Sequence, residues 1–69
     1  MKISARNVLS GTVTAVRKGT TTAHVTVELP GGQVVTAAIT NESVDDLGLA
    51  PGKAAHVVVK SSDVMIAVD

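Results

Sequence analysis

The chain of 69 residues contains no cysteine and no phenylalanine, tyrosine or tryptophan. Without cysteine there is no disulfide. The two histidines, His24 and His56, with scattered carboxylates do not form the local four-ligand pattern of a structural zinc site. A chain this short buries only about 60% of the surface its unfolded form exposes. Scaffolds below about 70–80 residues normally add disulfides, a metal or self-association, and here only self-association remains. The missing aromatics sharpen the inference, since they are the largest single contributors to a small core. Hydrophobic residues make up 45% of the chain and charged ones 17%, more apolar surface than one small domain is expected to hide. The excess is expected to form a homo-oligomeric interface.

Charge of either sign in excess is also lacking. Six basic residues balance six acidic ones, which excludes a general electrostatic attraction to nucleic acid or anionic lipid, so any anion site must be local. No run of about 18 apolar residues is present to span a membrane, and the first residues lack the charged-then-apolar order of a secretory signal. With no cysteine, these features lead to the expectation of a cytoplasmic protein with no membrane partner.

What the sequence does have is strand signal. In "TAHVTVEL", Ala23, Val25, Val27 and Leu29 alternate with Thr22, His24, Thr26 and Glu28, the period of a half-buried strand. The turn Pro30-Gly31-Gly32 and the β-branched run "QVVTAAIT" follow, so residues 22–40 read as a hairpin. "SGTVTAVRKG" upstream, with a turn at Lys18-Gly19, and "AAHVVVK" and "VMIAV" downstream bring the expected strands to five. Between the third and fourth, Thr40 or Asn41 caps a short helix, Glu42, Asp45 and Asp46 suit its start, and Gly48 stops it. Pro51-Gly52 turns the chain onward. All-β, five strands and one short helix between strands 3 and 4 is the element order of a small OB-like Greek-key barrel; an SH3-like barrel or an open sheet competes. Residues 1–69 read as a single domain.

Two polar clusters stand out at opposite ends of the chain. Ser4 and Arg6 lie in "KISARNVLSG", and Lys60, Ser61 and Ser62 lie in "VVKSSDVMI". A tetrahedral oxyanion offers only acceptors, so its site needs convergent N–H and O–H donors and enough positive charge to offset desolvation. Arg6 and Lys60 match a dianion's charge, Ser4, Ser61 and Thr40 can donate hydroxyls, and the break at Lys60-Ser61-Ser62-Asp63 can turn backbone N–H groups toward one point. The competing reading of the same residues is solvated strand ends and an ordinary turn.

Other chemistry finds little purchase. There is no Cys–His pair and no G-x-S-x-G nucleophile turn, and the cluster Glu42, Asp45, Asp46 is explained by a helix start, so no enzyme is expected. "PGGQ" lacks the spacing of a phosphate-cradling loop. OB-type folds that bind nucleic acid stack bases on aromatics in a basic groove, and this chain has neither. A nucleic-acid-binding module and a ligand-free assembly subunit are the alternatives to an anion-binding one.

"ISARN" at 3–7, "AAITNESVDDLGL" at 37–49 and the run from Gly52 to Ala67 containing "HVVVKSSDVMIA" together resemble the small molybdenum-binding protein family, called Mop or molbindin, and the related modules of molybdate-responsive regulators and importers. The resemblance covers essentially the whole chain. It implies an OB-like fold assembled as a hexamer, a trimer of dimers, that binds molybdate or tungstate at subunit interfaces for intracellular storage or homeostasis, with no catalytic cofactor. Position by position, it assigns Ser4 and Arg6, with Ala5 and Asn7 in support, Thr40, and Lys60 and Ser61 with Ser62 alongside, to the oxyanion site. It further implies that the two terminal stretches meet across a subunit boundary. A second type of oxyanion site in that family has its nearest match in Lys18, Gly19, Thr20, Thr21, Thr22 and His24, which otherwise read as an exposed hairpin shoulder. His56, beside the run Val57–Val59, is expected to be partly buried at an interface.

Overall fold

The structure is a computed structural model and describes residues 1–69. Its strands are β1 (Asn7–Lys18), β2 (Thr22–Glu28), β3 (Val34–Thr40) and β4 (Ala54–Val59), with one helix, α1 (Asn41–Leu47), between β3 and β4 and a single 3-10 turn at Ser61–Asp63. They form one antiparallel sheet in the order β3-β2-β1-β4. Three hairpin-connected strands with a fourth returning beside the first is a Greek key.

β1 starts three residues earlier than its apolar pattern suggested and divides its pairing. Asn7 to Thr12 face Val59 to Ala54 of β4, and Thr12 to Lys18 face Glu28 to Ala23 of β2. The register to β2 shifts between Val13 and Ala15, which leaves Thr14 as an extra residue that sharpens the local twist. Its hydroxyl bonds the side chain of Thr26 at 2.9 Å. At Gly11, just before the change of partner, a Cβ would lie 2.5 Å from the carbonyl oxygen of Glu28 and 2.8 Å from a methyl of Val27. Only glycine lets β1 and β2 approach so closely. The sheet curls around this point into half of a barrel.

The concave face carries the core of Val13, Ala23, Val25, Val27 and Val44, flanked by Val16, Ile39, Leu49, Ala55 and Val57. Ala23, Val25 and Val27 are thus buried as their alternation predicts, and Leu29 lies half-buried beyond the strand end. Helix α1 closes one end by burying Val44. Thr40 is the cap, its Oγ1 accepting the Ser43 N–H at 3.0 Å. Gly48 ends the helix in the left-handed region at φ 63°, and Lys53 donates to the carbonyl of Leu47 at 2.6 Å.

The expected fifth strand is not formed. Residues 64–68 have strand chemistry, but the 3-10 turn at Ser61–Asp63 carries them off the sheet and no strand of the same chain lies beside them. Met65, Ile66 and Val68 are 91%, 87% and 92% exposed. The barrel is therefore open, with four strands rather than five. His56 is also exposed, its Nδ1 sharing a 3.1 Å hydrogen bond with the hydroxyl of Ser10, its cross-strand partner. The accessible surface of 5302 Å² compares with about 4,000 Å² for a compact monomer of this mass.

Candidate functional site

Antiparallel pairing of Asn7 with Val59 sets the residues just outside each strand next to one another. Ser4, Ala5 and Arg6 before β1 and Lys60, Ser61 and Ser62 after β4 therefore line one open cleft of about 450 Å³, together with Ile3. The two polar clusters at the extremities of the sequence meet within one chain, because β1 and β4 are neighbours. No boundary between subunits is needed to bring them together.

Asn7 anchors the floor. Its Nδ2 donates to the carbonyl of Val59 at 3.2 Å and to the hydroxyl of Ser61 at 3.5 Å. The turn beyond is closed by the Asp63 N–H donating to the Lys60 carbonyl at 2.9 Å. The lining holds two cations, three hydroxyls and no carboxylate. The chain's one ion pair is Lys18 with Asp45, so neither Arg6 nor Lys60 is neutralised by an internal partner. Of the lining residues only Ala5 is even half-buried, so in a single chain the donors stand in water. Ile3 also lines the cleft, an apolar residue of the same "ISARN" stretch that carries Ser4 and Arg6 and one that donor chemistry does not point to.

The other candidates gather at the far end of the sheet. β1 runs for 12 residues, about 35 Å of strand path, from Asn7 beside the cleft to Lys18 beside the helix. Thr40 pairs with Thr22 there, and its hydroxyl is engaged in the cap, donating to the Ser43 Oγ at 2.8 Å as well as accepting the Ser43 N–H. Lys18 donates to Asp45 at 2.6 Å. Asn41 pins the Gly19–Thr21 turn by donating from Nδ2 to the carbonyls of Gly19 and Thr20 at 3.0 and 3.3 Å, and from its N–H to Thr21 at 2.9 Å. The N–H of Gly19 is itself bonded to the carbonyl of Thr22 at 2.8 Å. His24 is exposed, between Arg17 of β1 and Ala38 of β3. The structure thus brings Lys18, Gly19, Thr20, Thr21, Thr22 and Thr40 together, but within one chain several of their donors are already used.

A second cleft of about 460 Å³ is lined by Ser10, Gly11, Thr12 and the Glu28–Gly32 turn. It carries the Glu28 carboxylate and no cation, the wrong sign for an anion. No group of three or more His, Cys, Asp or Glu side chains is placed to hold a metal ion, and no helix is long and apolar enough to cross a membrane.

A half-barrel with a cleft that brings together two cations and three hydroxyls without a carboxylate defines a small β-domain suited to binding an anion. The TOBE domain model matches residues 3–66, and the chain belongs to the TOBE domain family. It is 52% identical over 66 residues to molybdenum-pterin-binding protein 3 of Clostridium pasteurianum, covering 96% of this chain and 97% of the relative. The structure of MopII from Clostridium pasteurianum superposes with a TM-score of 0.92 at 46% identity, covering 97% of this chain and 100% of that one. The cytoplasmic molybdate-binding protein ModG, in a form with molybdate bound, superposes with a TM-score of 0.91 at 45% identity over 94% of this chain and 46% of ModG. These likenesses establish the OB-like character of the fold.

Proposed function

We propose that this protein binds molybdate, or the closely analogous tungstate, in the cleft between Ser4–Arg6 and Lys60–Ser62, as a single 69-residue module. The observation that carries this reading is the convergence of two unpaired cations and three hydroxyls on one cleft without a carboxylate. A dianion there is matched in charge, and its oxygens can accept from the two cations and the three hydroxyls, each bond being charge-assisted. Without any Phe, Tyr or Trp side chain the cleft lacks the large aromatic face that best holds a pterin ring, which favours the bare oxyanion as ligand.

Exposed charge-assisted bonds are weak because water and salt screen them. Tight binding in so open a cleft calls for a cover, and the uncovered apolar tail beside it, Val64 to Val68, calls for the same thing. The reading is therefore a homo-oligomer in which neighbouring copies bury the tail and close the site; that it is a hexamer built as a trimer of dimers is what the resemblance to the Mop family implies. Thr40 and the set Lys18, Gly19, Thr20, Thr21, Thr22 and His24 enter an oxyanion site only through such a neighbour. The role is intracellular storage and homeostasis of molybdenum in the cytoplasm, with no catalysis.

Purified protein is expected to carry molybdenum or tungsten by elemental analysis and to take up sodium molybdate in calorimetric titration. A metal-free protein that gives no heat with either oxyanion, and none with a labelled oligonucleotide at low salt, would instead be a ligand-free assembly subunit.

A further inference from the structure

Asn7 does more than tie β1 to β4. Its amide orientation is determined by its neighbours, because the group facing the carbonyl of Val59 at 3.2 Å must be the NH2. The same nitrogen lies 3.5 Å from the Ser61 hydroxyl, and a protonated amide nitrogen is never an acceptor. Ser61 therefore receives a hydrogen from Asn7 and cannot point its own hydrogen back at it. Its O–H is left to donate elsewhere, and Ser61 lines the cleft.

We infer that Asn7 is a positioning residue that occupies one lone pair of the Ser61 hydroxyl, favouring its donation into the cleft over acceptance there, and thereby biases the site toward fully deprotonated tetrahedral oxyanions over protonated ones. This rests on the oxyanion reading of the cleft and adds the rule by which it chooses. A serine free to rotate offers either a hydrogen or a lone pair. One that is already accepting from Asn7 still has its hydrogen but one lone pair fewer to offer. A bare dianion has acceptors on all four oxygens and is satisfied, whereas hydrogen phosphate must place its own O–H against an acceptor. The other lining side chains that can accept are Ser4 and Ser62; with one of its two lone pairs taken by Asn7, Ser61 has half the acceptor capacity of an unengaged serine.

The test is competition calorimetry on the intact protein, using sodium molybdate with sodium sulfate and with inorganic phosphate at a pH where phosphate retains one proton. Sulfate and hydrogen phosphate are close in size and differ in that proton. In Asn7→Ala the sulfate-to-phosphate affinity ratio is expected to narrow by roughly three- to tenfold, the range one hydrogen bond supports. In the Ser61→Ala background the same substitution should leave the ratio unchanged. Asn7→Asp, nearly the same size, accepts from Ser61 and turns a lone pair toward the cleft, so it should weaken all three anions and narrow the ratio further; it also serves if the alanine variant does not fold. Equal loss of all anions at constant ratio in both Asn7 variants would reduce Asn7 to a strand brace, and so would an Asn7 effect on the ratio that persists without the Ser61 hydroxyl. Either result leaves molybdate binding by the wild type intact, whereas a wild type that binds no oxyanion overturns the cleft assignment itself.

Discussion

At the scale of single residues, the cleft depends on two side chains that have no internal counter-ion, Arg6 and Lys60. Replacing either by alanine removes a charge-assisted bond worth about 1.5–3 kcal/mol, so molybdate affinity measured by calorimetry should fall about 10- to 150-fold while the thermal midpoint barely moves, since both side chains are exposed. Unaltered affinity in both variants would remove them from the site. Most of this cleft is legible in the sequence, because a cation flanked by hydroxyls is a donor set wherever the chain puts it. What composition could not supply is that the two sets adjoin in one chain; that follows from the pairing of Asn7 with Val59, a long-range register no local pattern specifies. Thr40 illustrates the opposite case. Its hydroxyl reads equally as a ligand or a cap, and in this chain the Ser43 N–H claims it.

At the scale of elements, the helix and the β2–β3 hairpin follow from local chemistry, Thr40 and Gly48 marking the helix ends and alternation marking β2. Thr40→Ala should cost about 1 kcal/mol through the lost cap, read as a lower urea midpoint at unchanged slope. The bend in β1 was less visible. A glycine within a strand pattern signals a bulge or a close approach, but only the packed sheet shows which backbone approaches. With the Glu28 carbonyl 2.5 Å from the position of a Cβ on Gly11, Gly11→Ala forces β1 and β2 apart and should cost about 1–3 kcal/mol. A midpoint equal to that of the wild type in thermal unfolding would contradict this account of the curl.

At the scale of the whole molecule, absence is the informative feature. No disulfide and no aromatic are available, and only five residues are buried, while the surface exceeds that of a compact monomer by about 1,300 Å². An area of that order is comparable to one partner's share of a stable interface, about 800 Å² or more. The segment 64–68 has strand chemistry but forms no strand in this chain, because no strand of its own sheet lies beside it. Deleting residues 64–69 should therefore convert an oligomer, by sedimentation, into a monomer of lower thermal stability, and an unchanged mass would locate the interface elsewhere. The central claim, that donors from both extremities of the chain hold one tetrahedral dianion, is tested most directly by crystals grown with molybdate and measured at the molybdenum absorption edge. The account predicts an anomalous peak within hydrogen-bonding reach of both the Arg6 guanidinium and a Lys60 ammonium; strong peaks confined to other parts of the assembly, with the Arg6–Lys60 cleft empty, would contradict it.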